Sequence, residues 1–222
     1  MIKHNLFPTL VLQDHYVGNA DEMLNSVEQQ EKLEHPFFKG HTYTGHIDKS
    51  EKVFKLLEAD VLNTAYKWIQ YCGYDTETKL VVSDMWYNLY DGMTGLQAHN
   101  HPNSYLAGVY YLTEDNNPLV LIDPSNIVKT QTLLKVSDRK KYMQYCSEHV
   151  IKPNKGDLIL FPAWLYHNVQ PVTEAVNIGF NVTISGPYGD KVLNTYNENV
   201  SRNNRSKRRQ FCKTVSFSRA CR

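Results

Sequence analysis

Three histidines carry the clearest chemistry in this 222-residue chain: His99 and His101, one residue apart, and His167, far downstream. On a β-strand or at its end, residues i and i+2 project to one face, so two imidazoles converge there. A third imidazole from a neighbouring strand completes three nitrogen ligands on one side of a metal and leaves the other side open. Open positions on a nitrogen/oxygen site are where a non-haem Fe(II) centre takes substrate and O₂. Imidazole also suits copper, nickel and zinc, so the rings alone do not choose the metal. The plain alternative is a surface turn, since Pro102 and Asn103 follow at once. His4, His15, His35, His41, His46 and His149 lack such a partner pattern and read as background.

Other chemistries have no signature here. The zinc-protease H-E-x-x-H pattern, a Gly-x-Ser-x-Gly elbow, a phosphate loop and a dinucleotide glycine fingerprint are all absent. Cys72, Cys146, Cys212 and Cys221 form no C-x-x-C pair and read as isolated reduced thiols.

The elements that must position the histidines are strands. From about residue 80 the chain alternates β-formers with Gly, Pro, Asn and Asp. Segments 80–83, 85–90, 105–112, 119–122, 157–161, 166–169 and 176–184 fit this pattern. Before them, residues 5–13 read as an opening strand, and Asn19 as the N-cap of a polar helix near 20–34. A second helix over 50–71 carries the stripe Val53, Phe54, Leu57, Val61, Ala65, Trp68 and Ile69. That stripe should cover a sheet rather than build a site. Many short strands after two helices predict a mainly β fold, an antiparallel double sheet with the helices packed outside. Residues 125–148 are charged and read as a helical insertion over the mouth of the roll.

Length and composition fit one filled core: 41% hydrophobic and 21% charged residues. No apolar run approaches the ~20 residues needed to span a bilayer. Met1-Ile2-Lys3-His4-Asn5 lacks the pattern of a secretory signal, so a cytoplasmic protein without membrane contact is expected. Residues 199–222 hold eight Lys/Arg and no acid, leaving residues 1–198 with a net charge of −7. The tail 202–222 could make weak phosphate contacts with nucleic acid by charge attraction, although a solvated terminus is the plainer reading. The organisation expected is 1–79 as strand and supporting helices, 80–187 as the β core of the same domain, and 188–222 as a basic tail.

Residues 86–182 resemble the double-stranded β-helix (a cupin-like jelly roll) of the 2-oxoglutarate/Fe(II) oxygenases, especially their prolyl-hydroxylase-like branch. Tyr90-Asp-Gly-Met-Thr-Gly-Leu-Gln-Ala-His99-Asn-His101 is similar to that branch's tyrosine, glycine-rich turn and H-x-D ligand pair. Gly108-Val-Tyr-Tyr-Leu112 resembles its next strand, and Gly156-Asp-Leu-Ile-Leu-Phe-Pro162 with His167-Asn-Val-Gln-Pro171 resembles the strand and distal histidine. With Leu6-Phe7-Pro8, the motif order is similar to a group of small oxygenases of phages and marine bacteria. The resemblance implies Fe(II) on His99, His101 and His167, 2-oxoglutarate contacted by Tyr90 and Tyr111, O₂, and hydroxylation of an unidentified substrate. The cytoplasm would be that of the cell or of a phage-infected host. Trp86 and Trp164 could line the cavity, although core packing is the plainer role for each.

Two departures stand out. His101 occupies the place of the usual carboxylate, with Asp123 the reserve ligand. The family also places an Arg or Lys about nine residues beyond the distal histidine, for a charge-assisted contact with the cosubstrate's far carboxylate. Here Ala175-Val176 stand there, and 168–190 contains no Lys or Arg. Tyr90, Tyr111 or a base from elsewhere, such as Lys129, would have to serve. A three-histidine cupin-like dioxygenase needing no 2-oxoglutarate, and a non-catalytic β-roll module that retains metal, are the alternatives.

Overall fold

The burial of the strands sets the architecture. In the computed structural model of the protein, the described residues are 2, 8–16, 19–30, 33–35, 42–125, 137–140, 142 and 148–186. They form β1 (Leu12–His15), α1 (Ala20–Glu28), β2 (Thr42–His46), α2 (Lys52–Tyr71), β3 (Leu80–His99), β4 (Leu106–Tyr111), β5 (Leu119–Ile122), β6 (Glu148–Ile151), β7 (Asp157–Pro162) and β8 (His167–Ile184). Met1–Thr183 form one compact unit and Ile184–Arg222 a second. Of the second, only 184–186 are described, so the basic tail lies outside the described residues.

One sheet runs β1-β7-β4-β8-β3-β2, and β5 and β6 extend a second layer from β8. The registers show how β8 serves both. Its far half pairs antiparallel with β4, from Leu106↔Val182 to Tyr111↔Asn177, while its first residues pair with β5, Leu119↔Val169 and Leu121↔His167. β3 makes the same crossing. Its first half pairs with β2, Thr42↔Tyr90 to His46↔Trp86, and Gly95, further along, lies against the Val169 carbonyl of β8. Successive left-handed residues at Gly92 (φ 71°) and Met93 (φ 64°) mark the bend between the halves. Two long strands, each shared by two layers, make the double-stranded β-helix.

β4 and β7 are buried on both faces, which is why β7 reads Asp-Leu-Ile-Leu-Phe-Pro without alternation. Tyr110, Leu158, Leu160, Ile178, Phe180 and Val182 join a cluster with the helices, including Phe54, Leu57, Val61 and Ile69. Tyr111, Ile159, Phe161 and Ala175 face the other way and pack with Tyr90, Ala107, Leu119 and Val169 inside the roll. The whole apolar stripe expected on 50–71 is buried in α2.

Several expected boundaries move. α1 stops at Glu28, not 34, because its last buried residue is Val27 and the amide of Gln30 already turns back to the Val27 carbonyl. Glu34 bridges to Tyr43 instead. Asn19 stands at the N-cap but makes no side-chain capping bond. The opening strand is Leu12–His15 rather than 5–13; Pro8 to Val11 are not strand, and 3–7 lie outside the described residues. β2 and β6 were not expected. Most of the 125–148 insertion, Lys129 included, lies outside the described residues.

Candidate active site

The three histidines meet at one end of the roll. His99 is the last residue of β3, His101 follows in the loop, and His167 opens β8. Backbone bonds tie these ends together. The His101 amide donates to the Ala163 carbonyl (2.9 Å), the Ala163 amide to Tyr105 (3.1 Å), and the Ile122 amide to Tyr166 (2.9 Å). The turn preceding His167 is thereby fastened to β5 and to the loop after β3.

One candidate ligand nitrogen from each ring lies within 4.8 Å of the other two. His101 Nε2 and His167 Nε2 are 3.3 Å apart. Two nitrogens each about 2.0–2.1 Å from one ion stand roughly 3 Å apart, so this spacing fits a shared first-row metal. His99 Nδ1 lies 2.7 Å from the Gln97 carbonyl and His167 Nδ1 3.0 Å from the Leu165 carbonyl. A carbonyl only accepts, so each Nδ1 carries the hydrogen and each Nε2 keeps its lone pair for a metal. Trp86 stacks on His101 at 5.7 Å between centroids, and Phe161 meets His167 edge-on at 4.7 Å. Gly179 permits the first contact, since a Cβ there would fall 2.5 Å from the Trp86 ring.

Burial holds the rings neutral. It pulls His167 down to about 3, aided by the charge of His99 and opposed by its bond to Leu165. His101 falls to about 4 through burial and His99, against a smaller upward pull from Asn181 and Asp84. His99 is lowered by burial as well. Neutral imidazoles with free lone pairs are the state a metal binds.

The rings open on a cavity of about 420 Å³ lined by, among others, Trp86, Asn88, Tyr90, Val109, Tyr111 and Asn177. Tyr90 and Tyr111 are fully buried, and burial is the first cause that raises both phenols far above their usual range. They are therefore neutral hydrogen-bonding groups. No Lys or Arg is among the described residues lining the cavity. Asp123 stays outside the histidine cluster; its Oδ1 accepts from the Ser125 amide (2.8 Å) and hydroxyl (2.6 Å). Trp86 does line the cavity, whereas Trp164 is 53% exposed rather than packed in the core.

Sequence reasoning missed His35, Asn88 and Asn177. His35, read as background, lines the cavity, and burial together with the charge of His99 lowers it. Nothing near it in sequence signals this; the β2–β3 pairing and the Glu34–Tyr43 bridge set its place. Asn88 did leave a signal, because it shares its strand face with Trp86 and Tyr90.

A search of curated proteins by sequence finds no match. The family described as "Putative 2OG-Fe(II) oxygenase" matches residues 84–181. Among solved structures, the chain is similar to HygX from Streptomyces hygroscopicus with nickel and 2-oxoglutarate bound (12% identity, TM-score 0.58, 79% of this chain and 83% of that one). It is also similar to a Pseudomonas putida prolyl-4-hydroxylase (15%, 0.55, 80% and 94%). A third is an oxidoreductase of the 2OG-Fe(II) oxygenase family from Burkholderia pseudomallei (14%, 0.51, 78% and 84%). These likenesses concern the fold. The matched residues contain all three histidines and both tyrosines, so over 84–181 the chain matches the 2-oxoglutarate/Fe(II) oxygenase family.

Proposed function

We propose that this chain is an Fe(II)/2-oxoglutarate-dependent hydroxylase in which His99, His101 and His167 hold Fe(II), with Tyr90 and Tyr111 toward 2-oxoglutarate. The observation that carries the reading is the convergence of three imidazole nitrogens within 4.8 Å at a 420 Å³ cavity. When bound, Fe(II), 2-oxoglutarate and O₂ supply the chemistry that couples decarboxylation of the oxo acid to oxidation of a substrate C–H bond. The chain's own residues bind, orient and shield. Gln97 and Leu165 carbonyls fix the His99 and His167 tautomers. Trp86 and Phe161 brace two of the rings and keep water from one side. His101 supplies a neutral ligand where the family's carboxylate would be, which leaves the iron one unit more positive.

An unidentified substrate would approach beside His35, at the histidine end of the cavity. A cytoplasmic setting and weak salt-sensitive contact of residues 202–222 with nucleic acid belong to this reading; among the described residues, no helix is long and apolar enough to cross a membrane.

The test is turnover. Full-length protein with Fe(II), ascorbate, O₂ and carbon-14-labelled 2-oxoglutarate should release labelled CO₂ and equimolar succinate. His99→Ala or His167→Ala should abolish both. Iron-loaded wild type that consumes no 2-oxoglutarate but oxidises a substrate would favour the three-histidine dioxygenase, and no oxidation at all would favour the silent module.

A further inference from the structure

The two ends of the cavity differ in kind. One holds the histidines. The other is set by strand register: Tyr111 on β4 pairs with Asn177 on β8, and Asn88 and Tyr90 on β3 line the same space. One i to i+2 step back along these strands are Val109, Gly179 and Trp86, and Trp86 rests on His101. Such a step is ~7 Å, about the length of a five-carbon oxo acid lying from metal to inner end.

Among the described residues, what stands at the inner end is uncharged. Asn88 Nδ2 donates to Asn177 Oδ1 at 3.0 Å, and Asn177 lies close enough to Tyr90 to pull its acidity the opposite way from burial. Asn88 Oδ1 and the Tyr90 hydroxyl are buried with no hydrogen-bond partner. Buried polar atoms left without partners are costly, so these call for a ligand. Ala175, where the family's cation is expected, is fully buried with Tyr90 and Tyr111.

A carboxylate offers acceptors only. It could take the phenol hydrogen, but it leaves Asn88 Oδ1 unsatisfied unless both asparagine amides turn over. A carboxamide offers N–H to Asn88 Oδ1 and a carbonyl to the Tyr90 hydroxyl. The geometry points to an inner end that recognises a neutral hydrogen-bonding group. The chain therefore admits 2-oxo acids ending in a carboxamide as readily as 2-oxoglutarate. This rests on the function proposed above, and Asn88 and Asn177 are its specificity-determining residues.

Two inert mimics of equal length separate the cases: N-oxalylglycine, ending in carboxylate, and N-oxalylglycinamide, ending in carboxamide. Each is titrated by calorimetry into full-length protein loaded with Ni(II), in low and high salt. The expected result is dissociation constants within about threefold of one another. Asn177→Asp should weaken the acid by about tenfold or more while sparing the amide, because a second buried anion repels the first. Lys129→Ala should change neither. The inference is overturned if the acid binds better by about thirtyfold or more, the margin a guanidinium or ammonium partner would create. It is also overturned if Lys129→Ala removes the acid's affinity; either result leaves the proposed function standing. If neither mimic binds while Ni(II) is held, the oxo-acid reading itself fails.

Discussion

At the residue scale, the site depends on imidazoles kept neutral by burial. His167 and His101 fall to about 3 and about 4 from an ordinary value near 6.5, both chiefly by desolvation. A group whose folded pKa is depressed stabilises fully above its unfolded value and loses that contribution as pH falls toward the folded one. Metal-free protein should therefore lose stability between pH 6.5 and about 3, the share from His101 being complete by about 4, and level off below. Each pKa unit corresponds to about 1.4 kcal/mol, so the loss amounts to several kcal/mol, discounted for the partial exposure of His101. Urea midpoints of chelator-treated protein across this range measure it, and the double variant His101→Gln, His167→Gln should flatten the curve. A wild-type midpoint that does not move across that interval would contradict the burial assigned to these rings. The histidines were legible because their spacing is chemical. Asn88 shows in the sequence only as a face-mate of Trp86 and Tyr90, and Asn177 was harder, since its meaning lies in its pairing with Tyr111 across strands, which no local pattern reports.

At the scale of elements, crossing strands place the three histidines. Gly95 is the close approach on which this depends: a Cβ there would fall 2.2 Å from the Val169 carbonyl, a rigid backbone atom. Gly95→Ala should destabilise the protein by about 1–3 kcal/mol, the range for overpacking, and loosen His99 against His167. Thermal unfolding and metal affinity should fall together; unchanged affinity would mean that the second half of β3 does not position His99. Strand positions from residue 80 onward were legible because β-branched and aromatic residues cluster between turn residues. Lengths were not. The sequence pattern breaks at Asp91-Gly92-Met93, yet β3 continues through it with two left-handed residues. β8 likewise runs unbroken from His167 to Ile184, joining two segments read separately. β2 and β6 were missed because they are short and carry polar residues such as Thr42, Thr44, Glu148 and His149. α1 was overrun because its polar surface continues past the point where burial ends.

At the scale of the whole molecule, the described residues form a jelly roll backed by two helices, with three neutral histidines at a cavity whose described lining carries no Lys, Arg, Asp or Glu, all within the compact unit Met1–Thr183. The central claim is that this set, without a carboxylate, holds iron and leaves room for an oxo acid. The direct measurement is anaerobic titration of Fe(II), then 2-oxoglutarate, into full-length apoprotein, followed by visible absorption and by iron analysis after desalting. The account predicts one iron per chain and a metal-to-ligand charge-transfer band that saturates with one equivalent of bound oxo acid. His101→Ala should lower iron affinity by at least about tenfold, the smallest loss usual even for groups that only support a ligand. One tightly held iron with no band at millimolar 2-oxoglutarate, or iron binding untouched by loss of His101, would contradict it.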